Sequence, residues 1–283
     1  MDEKIAIVTD STCDLSAKLM EEKSINFLPL KIIYQEGEYL DRVDIQPGEI
    51  YEHFEQEIPS TSMPGPEEFK EIYQKLEQEG FTHIISIHIS SGLSATFNVG
   101  KMAAEELKNI EIEVIDSKGL SMALGRLVLY CSDLIEQQEL SFQEIVKKVK
   151  AKVGAIDVYF VVKTLKYLKK GGRIGKITGT VGEILSIKPI ISIDEDGVYY
   201  NFDKARGRRK SLMRLTEIAR DKISQGKCYV DVMHADAEEE AREIYNKLRN
   251  LDNVKETYFG EISPVMAVHA GPGLIGVAIT REQ

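Results

Sequence analysis

The sequence predicts an α/β protein of two domains, and three observations carry that expectation. In the first half, short apolar strands alternate with amphipathic helices, the pattern of a parallel sheet with right-handed crossovers. In the second half the order loosens and an Asp-Gly hairpin signal enters, as in a mixed, partly antiparallel sheet. The chain has 283 residues and 43% hydrophobic content, more than one core comfortably holds. Residues 1–155 are expected to form an N-terminal Rossmann-like α/β domain with a parallel sheet. Residues 156–283 are expected to form a C-terminal α/β domain with a mixed sheet, the boundary lying near 150–157 where no linker marks it.

Residues 5–9 are a short apolar strand, followed by Asp10-Ser11-Thr12 and a helix from near Asp14. Residues 27–34 read as a strand and 47–56 as a helix, with Pro47 tolerated in its first turn. A loop, IPSTSMPGPEEF, is punctuated by Pro59, Pro64 and Pro66. Pro66 opens a helix whose apolar face includes Phe69, Ile72, Tyr73 and Leu76. Residues 83–89 are apolar without alternation, as in a buried parallel strand. Helices follow at 92–108, 121–137 and 141–153, with a strand at 112–115.

Beyond the boundary, residues 158–162 are a strand and 164–170 a short basic helix stopped by Gly171-Gly172. KPIISIDEDGVYYNF makes two strands around its Asp-Gly turn. Helices at 209–224 and 236–250 flank a strand at 228–234, and further strands fall at 257–262 and 274–280. Ser263-Pro264 is a cap followed by a first-turn proline, so His269 should end a one-turn helix.

Composition excludes several classes. A net charge of −10 is the wrong sign for a general nucleic-acid binder. No apolar run reaches the ~18 residues of a membrane span, and the acidic start MDEKIAIVTD has no signal-peptide pattern. Cys13, Cys131 and Cys228 are scattered and odd in number, which suits reduced thiols in the cytoplasm.

Some motifs invite chemistry and fail on their context. Gly271, Gly273 and Gly276 spell G-x-G-x-x-G, yet a β-branched strand ending follows where a dinucleotide site needs a helix. Those glycines are better read as a turn that places His269. GGRIGK is no phosphate loop, because Lys170 and Ile177 stand where Gly and Ser or Thr are required. His83 and His88 face opposite sides of one strand, and no Cys/His spacing suits a metal.

Ligands of open α/β sheets bind beyond the carboxyl ends of the strands. There stand Asp10-Ser11-Thr12, Thr61-Ser62 and SSGLSATFN at 90–98. Ser90, Ser91, Ser94 and Thr96 crowd one helix start, more hydroxyls than a cap needs, and an anion is favoured at such an end. A serine nucleophile at Ser94 with His269 as base is the alternative, weakened by Thr96 in place of the second elbow glycine and by the lack of an evident acid. A nucleotide or sugar phosphate is another candidate ligand. Two basic clusters interrupt the acidic surface: Lys163, Lys166, Lys169, Lys170, Arg173 and Lys176, then Arg206, Arg208, Arg209 and Lys210. Arg173, at a sharp corner after two glycines, is suited to aiming a guanidinium at an oxyanion.

IVTDST at 7–12, TSMP at 61–64, SSGLSATF at 90–97, LKKGGRIG at 168–175, KPII at 188–191 and HAGPGLIGV at 269–277 occur in order along the whole chain. Together they resemble the DegV family. The resemblance implies a cytoplasmic bacterial lipid-binding protein of two domains that holds a long-chain fatty acid between them. It implies the fatty-acid-binding subunit of a fatty acid kinase, not an enzyme by itself. A separate ATP-binding kinase subunit would phosphorylate the carboxylate, and the acyl-phosphate would feed phospholipid synthesis. No cofactor and no metal are implied, and membrane contact would be transient at most. By the same resemblance Thr61 and Ser94 hydrogen-bond the carboxylate with Ser62 nearby, and His269 stands at the same mouth. Ser91 and Thr96 support the anion site, and Arg173 steadies phosphoryl transfer. The basic clusters become candidates for kinase docking. Ala95 stands where the family usually has Gly, and Cys13 where Ala is common.

Overall fold

The computed structural model describes residues 3–177 and 187–282. Its first part runs β1 (Ile5–Asp10), a 3-10 turn (Ser11–Cys13), α1 (Ala17–Glu22), β2 (Ile25–Leu28), β3 (Lys31–Tyr34), β4 (Gly37–Leu40), α2 (Pro47–His53) and β5 (Ser60–Ser62). It continues with α3 (Pro66–Gln78), β6 (His83–His88), α4 (Thr96–Glu106), β7 (Glu111–Asp116), α5 (Met122–Gln137) and α6 (Phe142–Lys152). Four strands form a wholly parallel sheet in the order β2-β1-β6-β7. The chain moves from β1 outward to β2, then returns to the other side of β1 to lay down β6. The crevice beyond the carboxyl ends of β1 and β6 is therefore the topological switch point where such sheets take their ligands.

Three local expectations need correction. Residues 27–34 are two strands, broken at Pro29, which has no N–H for a ladder. β2 joins the parallel sheet, whereas β3 pairs antiparallel with β4 and β5 in a small second sheet. β5 itself lies inside the proline-rich segment read as loop. The first helix starts at Ala17 because Asp14 takes a φ of 54° and Ser16 supplies the cap.

The second part runs β8 (Ile156–Val161), α7 (Lys166–Lys170), β9 (Ile187–Ile193), β10 (Tyr199–Arg206), α8 (Arg208–Ile223), β11 (Cys228–His234), α9 (Glu238–Leu248), β12 (Val254–Glu261), α10 (Pro264–Ala270) and β13 (Ile275–Arg281). Among the described residues these strands form a mixed sheet in the order β10-β9-β8-β13-β11-β12. Only β11 and β12 pair in parallel there. The Asp-Gly signal becomes the turn between β9 and β10. α10 has seven residues, two turns where one was expected, and carries His269 in its last turn.

The faces of this sheet follow the two-residue period of a strand. Ile275, Val277 and Ile279 pack with Leu215, Ile218 and Ile244 under α8 and α9. Phe160, Met233 and Ala278 turn the other way and join the core that contains α5 and the crevice side of the first sheet.

Polar contacts cross the same seam. The Arg126 guanidinium of α5 grips Asp231 of β11 with Nε and Nη2, at 2.6–3.1 Å, and reaches Glu256 with Nη1 at 2.8 Å. Asp14 accepts from the backbone N–H of Ser263 and Asp41 from that of Val265, both at 2.9 Å, so two first-half carboxylates hold the start of α10. Ser121 and Ser11 donate to their remaining oxygens. Burial pushes Asp14 up to about 6 and Asp41 up to about 7.

Candidate functional site

A cavity of about 250 Å³ opens at the switch point, between the first sheet and the inner face of the second. Most of its wall is apolar, including Ile89, Leu120, Met122, Val158 and Phe160. Its polar lining includes Thr61, Ser62, Ser94, Arg173 and His269. These come from four separate stretches of chain, and successive contacts join all four. Thr61 Oγ1 is 2.8 Å from His269 Nε2. The His269 ring lies against Gly171. Arg173 donates to the Gly171 carbonyl at 2.5 Å and to the Leu93 carbonyl, next to Ser94, at 3.2 Å.

His269 owes its place to glycines in two motifs. Gly271 and Gly273 take φ values of 70° and 90°, positions that favour glycine. A side chain at 271 would run into the Tyr167 ring of α7. Reciprocally, a side chain at 171 would overlap the imidazole of His269. The Gly pair after α7 and the Gly-Pro-Gly turn after α10 thus interlock, and the glycine run places a histidine instead of cradling a phosphate.

Burial, then the nearby Arg173, lowers the His269 pKa to about 4. The imidazole is therefore neutral near pH 7. When its proton sits on Nε2 it donates to Thr61, and the threonine hydroxyl proton is left to meet an anion in the cavity. His269 Nδ1 is buried with no hydrogen-bond partner among the described residues.

The hydroxyls after β6 do different jobs. Ser94 lines the cavity, where its Oγ is 2.8 Å from Thr96 Oγ1. Thr96 is fully buried and orients Ser94 from behind. The structure does not bring Ser91 to the cavity: Lys118 donates to its hydroxyl at 3.2 Å, outside the crevice. Ser90 donates to the Gly197 carbonyl at 2.8 Å, pinning the β9–β10 turn to this loop. Ser62 donates to the Met63 carbonyl at 3.2 Å while lining the mouth.

No Ser-His-acid relay is assembled among the described residues. His269 engages Thr61, not Ser94, and no carboxylate meets its Nδ1. The earlier expectation for Asp10 also changes: its carboxylate turns inward to His88, 3.0 Å away, to the Ile89 N–H and to Thr12. Of the basic clusters, Lys170 donates to the Ile58 carbonyl, Lys176 pairs with Asp194 and Asp196, and Arg208 with Glu240.

Sequence reading missed Asp14 and Asp41 as the holders of α10. Neither acid stands in a motif, and the N–H groups that they hold lie 249 and 224 positions away. Among the described residues no helix is long and apolar enough to cross a membrane.

Residues 4–282 match a family described as uncharacterised proteins of the DegV family. A DegV domain-containing protein of Clostridium acetobutylicum is 50% identical over 281 residues, 99% of this chain and 100% of the relative. The solved structure of DegV from Bacillus subtilis, described as a fatty acid binding protein, shares 30% identity with a TM-score of 0.91, covering 99% of this chain and 100% of its own. A stearic acid-binding protein of Eubacterium ventriosum shares 29% identity with a TM-score of 0.86, covering 98% of each chain.

Proposed function

The chain belongs to the DegV family, and from that premise we propose that it binds a long-chain fatty acid and presents the carboxylate to a separate ATP-dependent kinase subunit. The observation that carries this reading is the shape of the cavity: an apolar bore with hydroxyls, a neutral imidazole and one arginine in its wall. A fatty acid is one anion on a long apolar tail. Burying ~14 methylenes at about 0.8 kcal/mol each amounts to on the order of 11 kcal/mol gross, so the tail supplies affinity. The head supplies orientation.

Thr61 and Ser94 are assigned to the carboxylate, with Ser62 beside them and Thr96 behind Ser94. His269, neutral, orients the Thr61 hydroxyl. This set binds the carboxylate without protonating it, so an oxygen lone pair stays available to attack a phosphoryl group. In that step the new bond is carboxylate O–P, and the bond from phosphorus to the nucleoside diphosphate breaks. Arg173 faces the charge that develops on the phosphoryl oxygens. The nucleotide would come with the kinase. The surface lysines and arginines around α7 and the start of α8 are the candidate docking face. We take residues 1–155 and 156–283 as the two units that enclose the ligand, and the cytoplasm as the place where they work.

Native mass spectrometry of the purified protein, followed by extraction and identification of what it holds, tests the reading. A long-chain fatty acid at near-unit occupancy is the expected result. A protein that arrives empty and takes up no added fatty acid overturns it. Trimming Lys166, Lys169, Arg209 and Lys210 to Ala should weaken kinase association and leave lipid binding intact.

A further inference from the structure

Gly276, the last glycine of the G-x-G-x-x-G run, lies in β13 with none of the backbone needs of the other two. Its φ is not positive. A Cβ built there would meet nothing closer than 3.5 Å, an ordinary contact with Phe160 Cβ. Neither conformation nor packing against protein therefore requires glycine at this place. Glycine also weakens a strand relative to a β-branched residue.

The register of the sheet supplies a reason. Residues directly opposite in an antiparallel ladder share a face. One row across the inner face is Phe160, Gly276 and Met233, and the next is Val158, Ala278 and Asp231. Phe160, Val158, Met233, Gly276 and Ala278 all line the cavity. The first row is a notch, a bare position between two large side chains. In the second row the apolar lining ends at Asp231, which is fully buried and held by Arg126 of α5. The Arg126 guanidinium also lies over the ring of Tyr229, 4.9 Å from its centroid, in the row after that. The cavity lining does not extend to Thr280, the β13 residue of that third row.

We infer that Gly276 is a specificity-determining residue: the acyl chain crosses β13 through its notch, and the Arg126–Asp231 pair stops the methyl end one row further on. The inference rests on the fatty-acid reading above. The notch sets whether a long chain can enter the deep part of the bore, and the ion pair sets how far it goes. A buried pair makes a firm stop, because separating it to admit methylenes would leave two uncompensated charges.

The test is a binding series of saturated fatty acids from C8 to C20 against wild type, Gly276→Val and Ala278→Leu, with thermal unfolding of each. Gly276→Val should unfold near the wild-type temperature, keep C8–C10 acids, and lose C16–C18 acids by at least tenfold. Ala278→Leu, one row deeper, should shorten the preferred chain by about four to six carbons, one row of the sheet being ~6.7 Å. Wild-type binding with an unchanged length profile in both variants overturns the inference and leaves the fatty-acid reading standing. An equal loss at every chain length in both variants also overturns it. Absence of binding by the wild type at all lengths overturns the fatty-acid reading itself, and the inference with it. If Gly276→Val does not fold, the Ala278→Leu profile decides alone.

Discussion

Thr61 Oγ1 stands 2.8 Å from His269 Nε2, a contact between β5 and α10 that spans 208 positions of sequence. Under the proposed assignment, removing the hydroxyl in Thr61→Ala takes a donor from the carboxylate. A hydrogen bond to a charged group contributes about 1.5–3 kcal/mol, so fatty-acid affinity should fall about 10- to 100-fold. The methyl ester of the same chain should bind almost unchanged. Calorimetric titration of acid and ester gives the comparison, and an equal loss for both would remove Thr61 from the head-group site.

Gly171 has ordinary helical dihedrals, φ −75° and ψ −6°, so its backbone tolerates alanine. The added methyl group would collide with the His269 ring. Gly171→Ala should therefore weaken fatty-acid binding in the wild-type background and have little further effect when His269 is already alanine. A double-mutant cycle reads this coupling. Additive losses would show that Gly171 acts by another route.

The pH dependence of stability should contain two opposed parts. His269 falls from an ordinary 6.5 to about 4 on folding, so the unfolded chain binds more protons between those values and stability rises with pH across that window. Asp41 and Asp14 rise from 3.8 to about 7 and about 6, so the folded chain binds more protons and stability falls as pH climbs from about 4 toward 7. Asp41→Asn should flatten that fall, while His269→Gln should steepen it. Urea midpoints at pH 4.5, 6 and 7.5 give the slopes, and parallel curves for all three proteins would contradict both assignments.

Arg126 and Asp231 are buried partners from opposite sides of the seam. Arg126→Met strands a buried carboxylate and should cost about 3–5 kcal/mol of unfolding free energy. The double variant Arg126→Met, Asp231→Leu should recover most of that loss, because an apolar pair carries no desolvation penalty. Denaturant titration checks both, and a double variant no better than the single would argue against an unpaired charge as the cause.

Cys13, Cys131 and Cys228 are all buried and unpaired. Burial pushes the Cys13 thiol up to about 12 and raises the other two. Thiol-directed reagents should label none of them at pH 8 until denaturant is added. Rapid labelling of the native protein would show an opening of the core.

What the sequence determined by itself was whatever local chemistry dictates. The period-two and period-3.6 apolar patterns identified the parallel sheet of β1, β6 and β7 and its helices. Asp-Gly marked the β9–β10 hairpin, and Ser263-Pro264 marked α10. The ordered motifs identified the family, and with it Thr61, Ser94 and His269 as a candidate set. Three-residue β5 was illegible, because a strand so short has no period to read. Pro29 disguised two strands as one, because the residues on both sides are equally apolar. Only the tertiary structure decided which hydroxyl of the Ser90–Thr96 turn meets the cavity. The four are chemically alike, and their different fates depend on the Gly197 carbonyl and Lys118, which are remote in sequence. It also decided that Asp14 and Asp41 hold α10 and that Gly276 makes a notch. Each of these depends on contacts between segments far apart in the chain, and no local pattern encodes the distance between two domains.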